Sequence, residues 1–236
     1  MPTMIEYALA KLSPRLNQIR EMVPEQTYDV IWDCCCDHGL LGMSLMSTSK
    51  TRTMKFVDVV PTIMDQLHKQ LSLHAPEYIE WSTLCEDVST LQLLPTKERH
   101  LVLLAGVGGE LSARFVELII TNNPNVYIDF LLCPVRDLFS LRKMLINKQL
   151  ALLDEKLVTD NNRVYEILYV STRAHEETQA VSAIGEKIWQ TNTPGSQQIA
   201  KRYLDMLIKH YERAANQSAL AAEALNLYQG VNVFSD

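Results

Sequence analysis

The stretch Asp33-Cys34-Cys35-Cys36-Asp37-His38-Gly39 gathers two carboxylates, three thiols and an imidazole at the end of a short apolar run, Tyr28 to Trp32. With the Leu40-Leu41-Gly42-Met43-Ser44-Leu45 that follows, it predicts a strand, a tight turn and a helix. In α/β proteins such a turn holds nucleotide-like ligands against the N–H groups of the helix N-terminus. It is ordinarily glycine-rich, so that backbone and ligand can approach closely. Here Asp33 takes the acidic position at the strand end, and Cys35, Asp37 and Gly39 take the alternating positions that glycines would fill. Further on, Phe56-Val57-Asp58 brings a carboxylate to the end of a second strand, where it would hydrogen-bond ribose hydroxyls. Glu86-Asp87 follows a third strand, placed for the exocyclic amine of an adenine. Acids at the C-terminal ends of three successive strands point to an adenosyl ligand. Each taken singly is also an ordinary strand cap or turn residue.

The other chemistry-bearing stretch is Ala105-Gly106-Val107-Gly108-Gly109-Glu110. Its glycines predict a tight turn with positive φ angles, leading into a helix from Leu111 and open to close approach of a ligand. The cysteines do not suggest a metal site. In an extended strand Cys34 and Cys36 point to one side and Cys35 to the other, so the triplet cannot chelate one ion. No Cys-x-x-Cys pair is present, and the cysteines are read as buried packing residues.

These groups need a scaffold, and the hydrophobic pattern supplies one. Strand-like runs at Tyr28–Trp32, Met54–Val59, Ile79–Thr83, His100–Ala105 and Val126–Cys133 alternate with helical patterns over Leu40–Met46, Thr62–Leu73, Leu111–Ile120 and Leu138–Asn147. That alternation implies βαβ units and a parallel sheet covered by helices on both faces. Ala151–Val158 and Val164–Ser171 are then joined by the polar Thr159-Asp160-Asn161-Asn162-Arg163, too short for a crossover helix, which predicts a β-hairpin with an antiparallel last strand. Ahead of the first strand, Ser13-Pro14 caps a helix carrying Leu16, Ile19 and Val23 and ended by Pro24. Past Arg173, helical segments over 177–190 and 196–227, broken at Thr193-Pro194-Gly195, predict a helical hairpin in which Val181, Ile184 and Ile188 face Ile199, Tyr203, Leu207 and Tyr211. The expected division is a domain over 1–173 and the hairpin over 174–236.

A net charge of −6 gives no global basic footprint, so a nucleic-acid partner would have to be met by a local patch. Lys201, Arg202, Lys209 and Arg213, with Tyr203 and Tyr211 interleaved, form such a stripe, and Arg15 and Arg20 could extend it. A solvated helix face or a homodimer contact is the bland alternative. No signal peptide pattern and no apolar window long enough to span a membrane is visible, so the chain is expected to be cytoplasmic, with no metal and no membrane contact.

Five βα units closed by a β-hairpin is the element order of Rossmann-like methyltransferases. The chain resembles the bacterial tRNA (adenine-22-N1)-methyltransferase family in Leu12-Ser13-Pro14-Arg15-Leu16, Asp33, Asp37-His38, Ala105-Gly106-Val107-Gly108-Gly109, Pro134 and Tyr165-Glu166-Ile167-Leu168. The resemblance implies an α/β Rossmann-like methyltransferase fold, a mostly parallel seven-stranded sheet with an antiparallel last strand, and a C-terminal helical hairpin of coiled-coil type. It implies S-adenosylmethionine as cofactor, held by Asp33, Cys35, Asp37, Gly39, Asp58, Glu86, Asp87, Ala105 and Gly106. It implies tRNA as partner, met by Arg15, Gly108, Gly109, Pro134, Lys201 and Arg202, with Asp37, His38 and Glu110 as the groups beside the reacting base. Two positions depart from the family pattern: Cys35 stands where the family has glycine, and Cys133-Pro134-Val135 stands where it has a Gln-Pro-Asn-like segment. They favour the alternative of a non-catalytic or substrate-diverged binding module on the same fold.

Overall fold

The apolar run that leads to Asp33 is the inner strand β1 (Tyr28–Cys34), paired in parallel with β2 (Thr51–Asp58) on one side and β4 (His100–Ala105) on the other. The computed structural model describes residues 3–25, 28–46, 51–93, 98–175, 178–191 and 193–233. Among them the sheet runs β3-β2-β1-β4-β5-β7-β6-β8, with β3 at Glu80–Cys85 and β5 at Ile128–Cys133. β3 and β5 extend the parallel part. β7 (Arg163–Ser171) lies antiparallel between β5 and β6 (Ala151–Asp160).

The inner strands are buried on both faces, as their unbroken apolar runs require. From β1, Val30, Trp32 and Cys34 enter one core layer and Ile31 the other. The first layer is closed by α5 (Gly109–Asn122) and α6 (Leu138–Asn147) through Phe115, Val116, Leu141 and Leu145. The second is closed by α1 (Met4–Lys11), α2 (Pro14–Met22), α3 (Leu40–Leu45) and α4 (Pro61–His74) through Ala8, Ile19, Met43, Met64 and Leu67. Burying each such Leu, Ile or Phe contributes about 1.5–3 kcal/mol, which makes these two layers the main source of stability. Ser13 caps α2 as expected, its side chain accepting from the Leu16 amide.

The hairpin between β6 and β7 closes through Asn161 and Asn162, with φ of 48° and 62°. Two left-handed residues make the primed turn whose twist suits a two-residue hairpin, and asparagine tolerates that region better than other side chains.

Three expectations are corrected. The sheet has eight strands rather than seven, because Gln179–Ala180 adds a short antiparallel strand, β8, to β6. The described part of 177–190 is therefore not a helix; Glu177 lies outside the described residues. It holds β8, a bend and a 3₁₀ turn at Lys187–Trp189. Tertiary hydrogen bonds override the helical pattern there: the Glu155 carboxylate accepts from the amides of Glu186 and Lys187 at 2.6 and 2.8 Å. Finally, the helix pair is formed within 196–227, by α7 (Pro194–Ala214) and α8 (Ala219–Gln229), with Ser218 capping the second through the Ala221 amide. Ile188 still meets Tyr203, Leu207 and Tyr211 in one cluster, whereas Val181 packs against the sheet.

A buried ionic knot joins this helix pair to the sheet. Arg142 on α6 donates to Glu166 on β7 at 2.6 and 2.9 Å, to Glu155 on β6 at 2.7 Å and to the Ser182 carbonyl at 3.0 Å. Tyr203 on α7 donates to the other Glu166 oxygen at 2.9 Å. Around it Trp189 stacks on Tyr203, Tyr211 stacks on Tyr228, and Phe139 of α6 meets both Tyr211 and Tyr228.

Candidate functional site

The strand order reverses between β1 and β4, where the chain leaves the β2–β3 side to build the β5 side. Ligand clefts of open α/β sheets form at the carboxyl ends of the strands flanking such a switch point. A cavity of about 340 Å³ lies there. Its walls are Arg15 and Leu16 of α2, Asp33, Cys35, Cys36, Asp37 and His38 from the β1 end and turn, Leu40 and Leu41 of α3, and Ala105, Gly106 and Val107 beyond β4.

The turn retains a glycine loop's backbone without its glycines. Cys35, Asp37 and Gly39 have φ of 54°, 49° and 69°, so each alternating position is left-handed. Holding a cysteine there costs on the order of 1–2 kcal/mol. The same kink ends the strand at Cys34 and breaks the expected alternation of the thiols. Cys34 and Cys35 pack with one core layer and Cys36 with the other, beside Cys133. Burial, reinforced by nearby Asp58, Asp33 and Asp87, pushes the Cys35 thiol up to about 12, so it stays protonated at neutral pH. Among the described residues no group of three His, Cys, Asp or Glu side chains is arranged to hold a metal ion.

Asp33 is buried and its carboxylate accepts from the Gly42 amide at 2.8 Å, tying the end of β1 to α3. Burial raises its pKa to about 7, the Gly42 hydrogen bond opposing and the Asp58 charge adding to the rise. Between about pH 4 and 7 the folded chain therefore holds a proton here that the unfolded chain has released. Stability from this group falls as pH rises through that window, by up to about 1.4 kcal/mol per pH unit. An Asp33→Asn variant keeps an acceptor for Gly42 and loses the titration. Its stability relative to the parent is expected to climb from pH 4 to 7 and level off above, as measured by urea unfolding across pH; a difference that stays flat would contradict the assignment.

Asp58 supports the turn with both oxygens, accepting from the Asp37 amide at 3.1 Å and the Val60 amide at 3.2 Å. Asp87 caps the 3₁₀ turn Val88–Thr90 through the Ser89 amide, and that hydrogen bond holds its carboxyl below the usual range. Asp37 and His38 sit at the cavity mouth, their side chains 69% and 65% exposed and 3.6 Å apart.

Of the predicted site residues, Arg15, Asp33, Cys35, Asp37, His38, Ala105 and Gly106 are brought together around the cavity. Gly39, Asp58, Glu86, Asp87, Gly108, Gly109, Glu110 and Pro134 do not line it. Only Gly106 of the second glycine cluster has a positive φ, at 91°. Gly109 is needed for another reason: a Cβ there would lie 2.2 Å from the Asp137 carbonyl, so the glycine lets the chain after β5 cross closely. Glu110 is exposed in the first turn of α5, where any carboxylate is favoured by the helix dipole.

Arg15 is not on an outer surface tracking a polymer backbone. It lines the cavity, stacked 5.0 Å over the Tyr165 ring, and its Nη1 is buried with no hydrogen-bond partner. It also lies beside Cys133, whose thiol burial pushes up to about 12 against the pull of that guanidinium. A buried donor atom left unmet on a half-buried cation is costly and marks a place for an anion or acceptor. Lys201 and Arg202 lie elsewhere, with Lys209, His210 and Arg213 along the exposed face of α7, in an open groove of about 730 Å³. Arg202 donates to the Asn162 carbonyl. The tyrosines expected between them, Tyr203 and Tyr211, point inward and are buried, so they cannot stack on a ligand. Sequence reasoning did not single out the cavity's apolar wall, Leu16, Leu40, Leu41 and Val107, although each lies within or beside a stretch it quoted.

Residues 12–168 match the family model described as a methyltransferase domain. A Mycoplasma pneumoniae protein provisionally named a tRNA methyltransferase is 23% identical over 216 residues, covering 90% of this chain and 96% of that protein. Among solved structures, TrmK of M. capricolum, in complex with the cofactor product S-adenosyl-homocysteine, aligns with a TM-score of 0.68 at 14% identity, over 92% of this chain and 95% of that one. TrmK of B. subtilis, described as an M1A22 tRNA methyltransferase, aligns with a TM-score of 0.64 at 16% identity, over 93% and 94% of the two chains. At these identities the structural likeness concerns the fold. No helix among the described residues is long and apolar enough to cross a membrane.

Proposed function

The chain belongs to the methyltransferase-domain family, and on that premise we propose that it transfers a methyl group from S-adenosylmethionine to N1 of an adenine in tRNA, acting in the cytoplasm. The observation that carries the cofactor is the unmet Nη1 of Arg15, buried in the wall of the β1–β4 cleft. The cavity, at about 340 Å³, lies within the roughly 300–1,000 Å³ range of small-molecule sites. Its residues fit the group. Arg15 would hold the carboxylate of the methionine moiety, and the left-handed Cys35–Gly39 turn would present its backbone to the adenosyl moiety. Asp58 and Asp87 do not line the cavity itself, but each has acceptor capacity left after its backbone hydrogen bonds and would meet ribose and adenine where the ligand extends past it.

The cofactor supplies an electrophilic methyl on a sulfonium. The chain's own part is chiefly alignment, because adenine N1 offers an in-plane lone pair and needs no prior deprotonation. The methylated ring is cationic. Asp37, exposed at the mouth, is the carboxylate placed to stabilise that charge or to accept from the exocyclic amine, and His38 beside it orients the pair. The domain over 1–173 would carry this chemistry, and the basic face of α7 would hold the tRNA body; the relatives' names support tRNA as the substrate. Titration calorimetry with S-adenosylmethionine tests the cofactor assignment: saturable one-to-one binding is expected, and no heat at millimolar ligand would favour the non-catalytic alternative.

A further inference from the structure

A second cavity, of about 480 Å³, adjoins the cofactor cleft, and His38 and Leu40 line both. No motif predicted it. Its walls are one face of α1, presenting Tyr7 and Lys11 one turn apart, and one face of α4, presenting Gln66, Lys69 and Gln70 at the spacing that places side chains together. Leu40 and Met43 of α3 add an apolar floor.

Resting on the reading of the cleft as a tRNA methylation site, we propose that this cavity seats the RNA segment flanking the target adenine. Tyr7 stacks on a neighbouring base, and Lys11 and Lys69 neutralise its phosphates. Three observations converge on this occupant. The cavity adjoins the cleft at His38 and Leu40, within reach of a strand whose base enters the cleft. Its charged lining residues are Lys11 and Lys69, with no carboxylate among the lining, a local positive site in a chain of net charge −6. Both lysines are free of ion pairs among the described residues, Lys11 lying 5.8 Å over the Tyr7 ring. Tyr7 is 47% exposed, an aromatic face left open to solvent beside those cations. Aromatic faces and cations side by side are how unpaired bases and their backbone are held, and the two glutamines supply donors and acceptors for a base edge.

The test uses the full chain, an unmodified tRNA transcript and S-adenosylmethionine. Lys11→Gln/Lys69→Gln is expected to bind the cofactor unchanged in calorimetry, and to raise the KM for tRNA about tenfold. It is expected to lower the slope of log affinity against log salt by about 1.5, for two phosphates at roughly 0.7–0.9 each. Tyr7→Ala raises KM without changing that slope, and Tyr7→Phe restores it. A control that also loses two lysines, Lys143→Gln on α6 with Lys148→Gln at its C-cap, keeps the parent slope. An unchanged slope in the first variant, an equal loss in the control, or a loss of cofactor affinity instead would overturn the proposal while leaving tRNA methylation standing. A parent chain that neither binds nor methylates tRNA would remove both.

Discussion

Replacing Arg142 with Met is expected to destabilise the chain by about 3–5 kcal/mol, as much as emptying a large core position. Burial pushes the Glu155 carboxyl up, but the Arg142 charge and the Glu186 and Lys187 amides outweigh it and hold the group below its usual range. Burial pushes Glu166 up, with Arg142 only partly offsetting it. Without the guanidinium both carboxylates stay in the core with no counter-charge, and both must be protonated for the fold to persist. The loss reads as a lower urea midpoint at unchanged slope, partly recovered at acid pH where the carboxylates take up protons. Fluorescence of Trp189, which packs against Tyr203 beside the knot, follows the same transition. A loss below about 1 kcal/mol would mean that the aromatic cluster, and not the ionic knot, fastens α7 and α8.

Arg15→Met is expected to have the opposite signature. The substitution keeps an apolar stem against Tyr165 and removes every donor. Losing one charge-assisted hydrogen bond to a ligand carboxylate costs about 1.5–3 kcal/mol, or roughly 10- to 150-fold in affinity for S-adenosylmethionine. The free protein should lose little stability, because the relief of the unmet Nη1 offsets the lost stack on Tyr165 and the lost contact with Cys133. Weaker binding without weaker folding is the mark of a group kept for its ligand. Unchanged affinity, measured by the same calorimetry as for the parent, would assign Arg15 to packing alone.

The strands and helices that build the cleft were legible because each is a simple period. β1, β4 and β5 are unbroken apolar runs, and α4, α5 and α6 repeat at helical spacing. The turn after β1 was legible through an acid followed by alternating special positions, and Cys35, Asp37 and Gly39 all have the positive φ of such a turn. What escaped was set by tertiary contacts. Val181, Ile184 and Ile188 mimic a helix, yet Glu155 claims the amides a helix would need and Val181 belongs to the sheet. Tyr203 and Tyr211 alternate with basic residues in sequence but face the opposite side of α7. Arg15 is a basic residue near a helix start, and its sequence context carries no sign of the direction it faces, which is into the cleft. Some signals were present and unused. Thr3 with Glu6 forms a capping box for α1, and Asn216-Gln217-Ser218 holds the cap that divides α7 from α8.

The account stands on one claim: the left-handed turn at Cys35–Gly39 and the cation at Arg15 still make a working site that delivers methyl to adenine N1. The direct measurement is to incubate the chain with isotopically labelled S-adenosylmethionine and unmodified tRNA, digest the RNA to nucleosides and locate the label. The expected result is label in N1-methyladenine alone. Cofactor bound with no label in any nucleoside, or label in a different nucleoside, would contradict it.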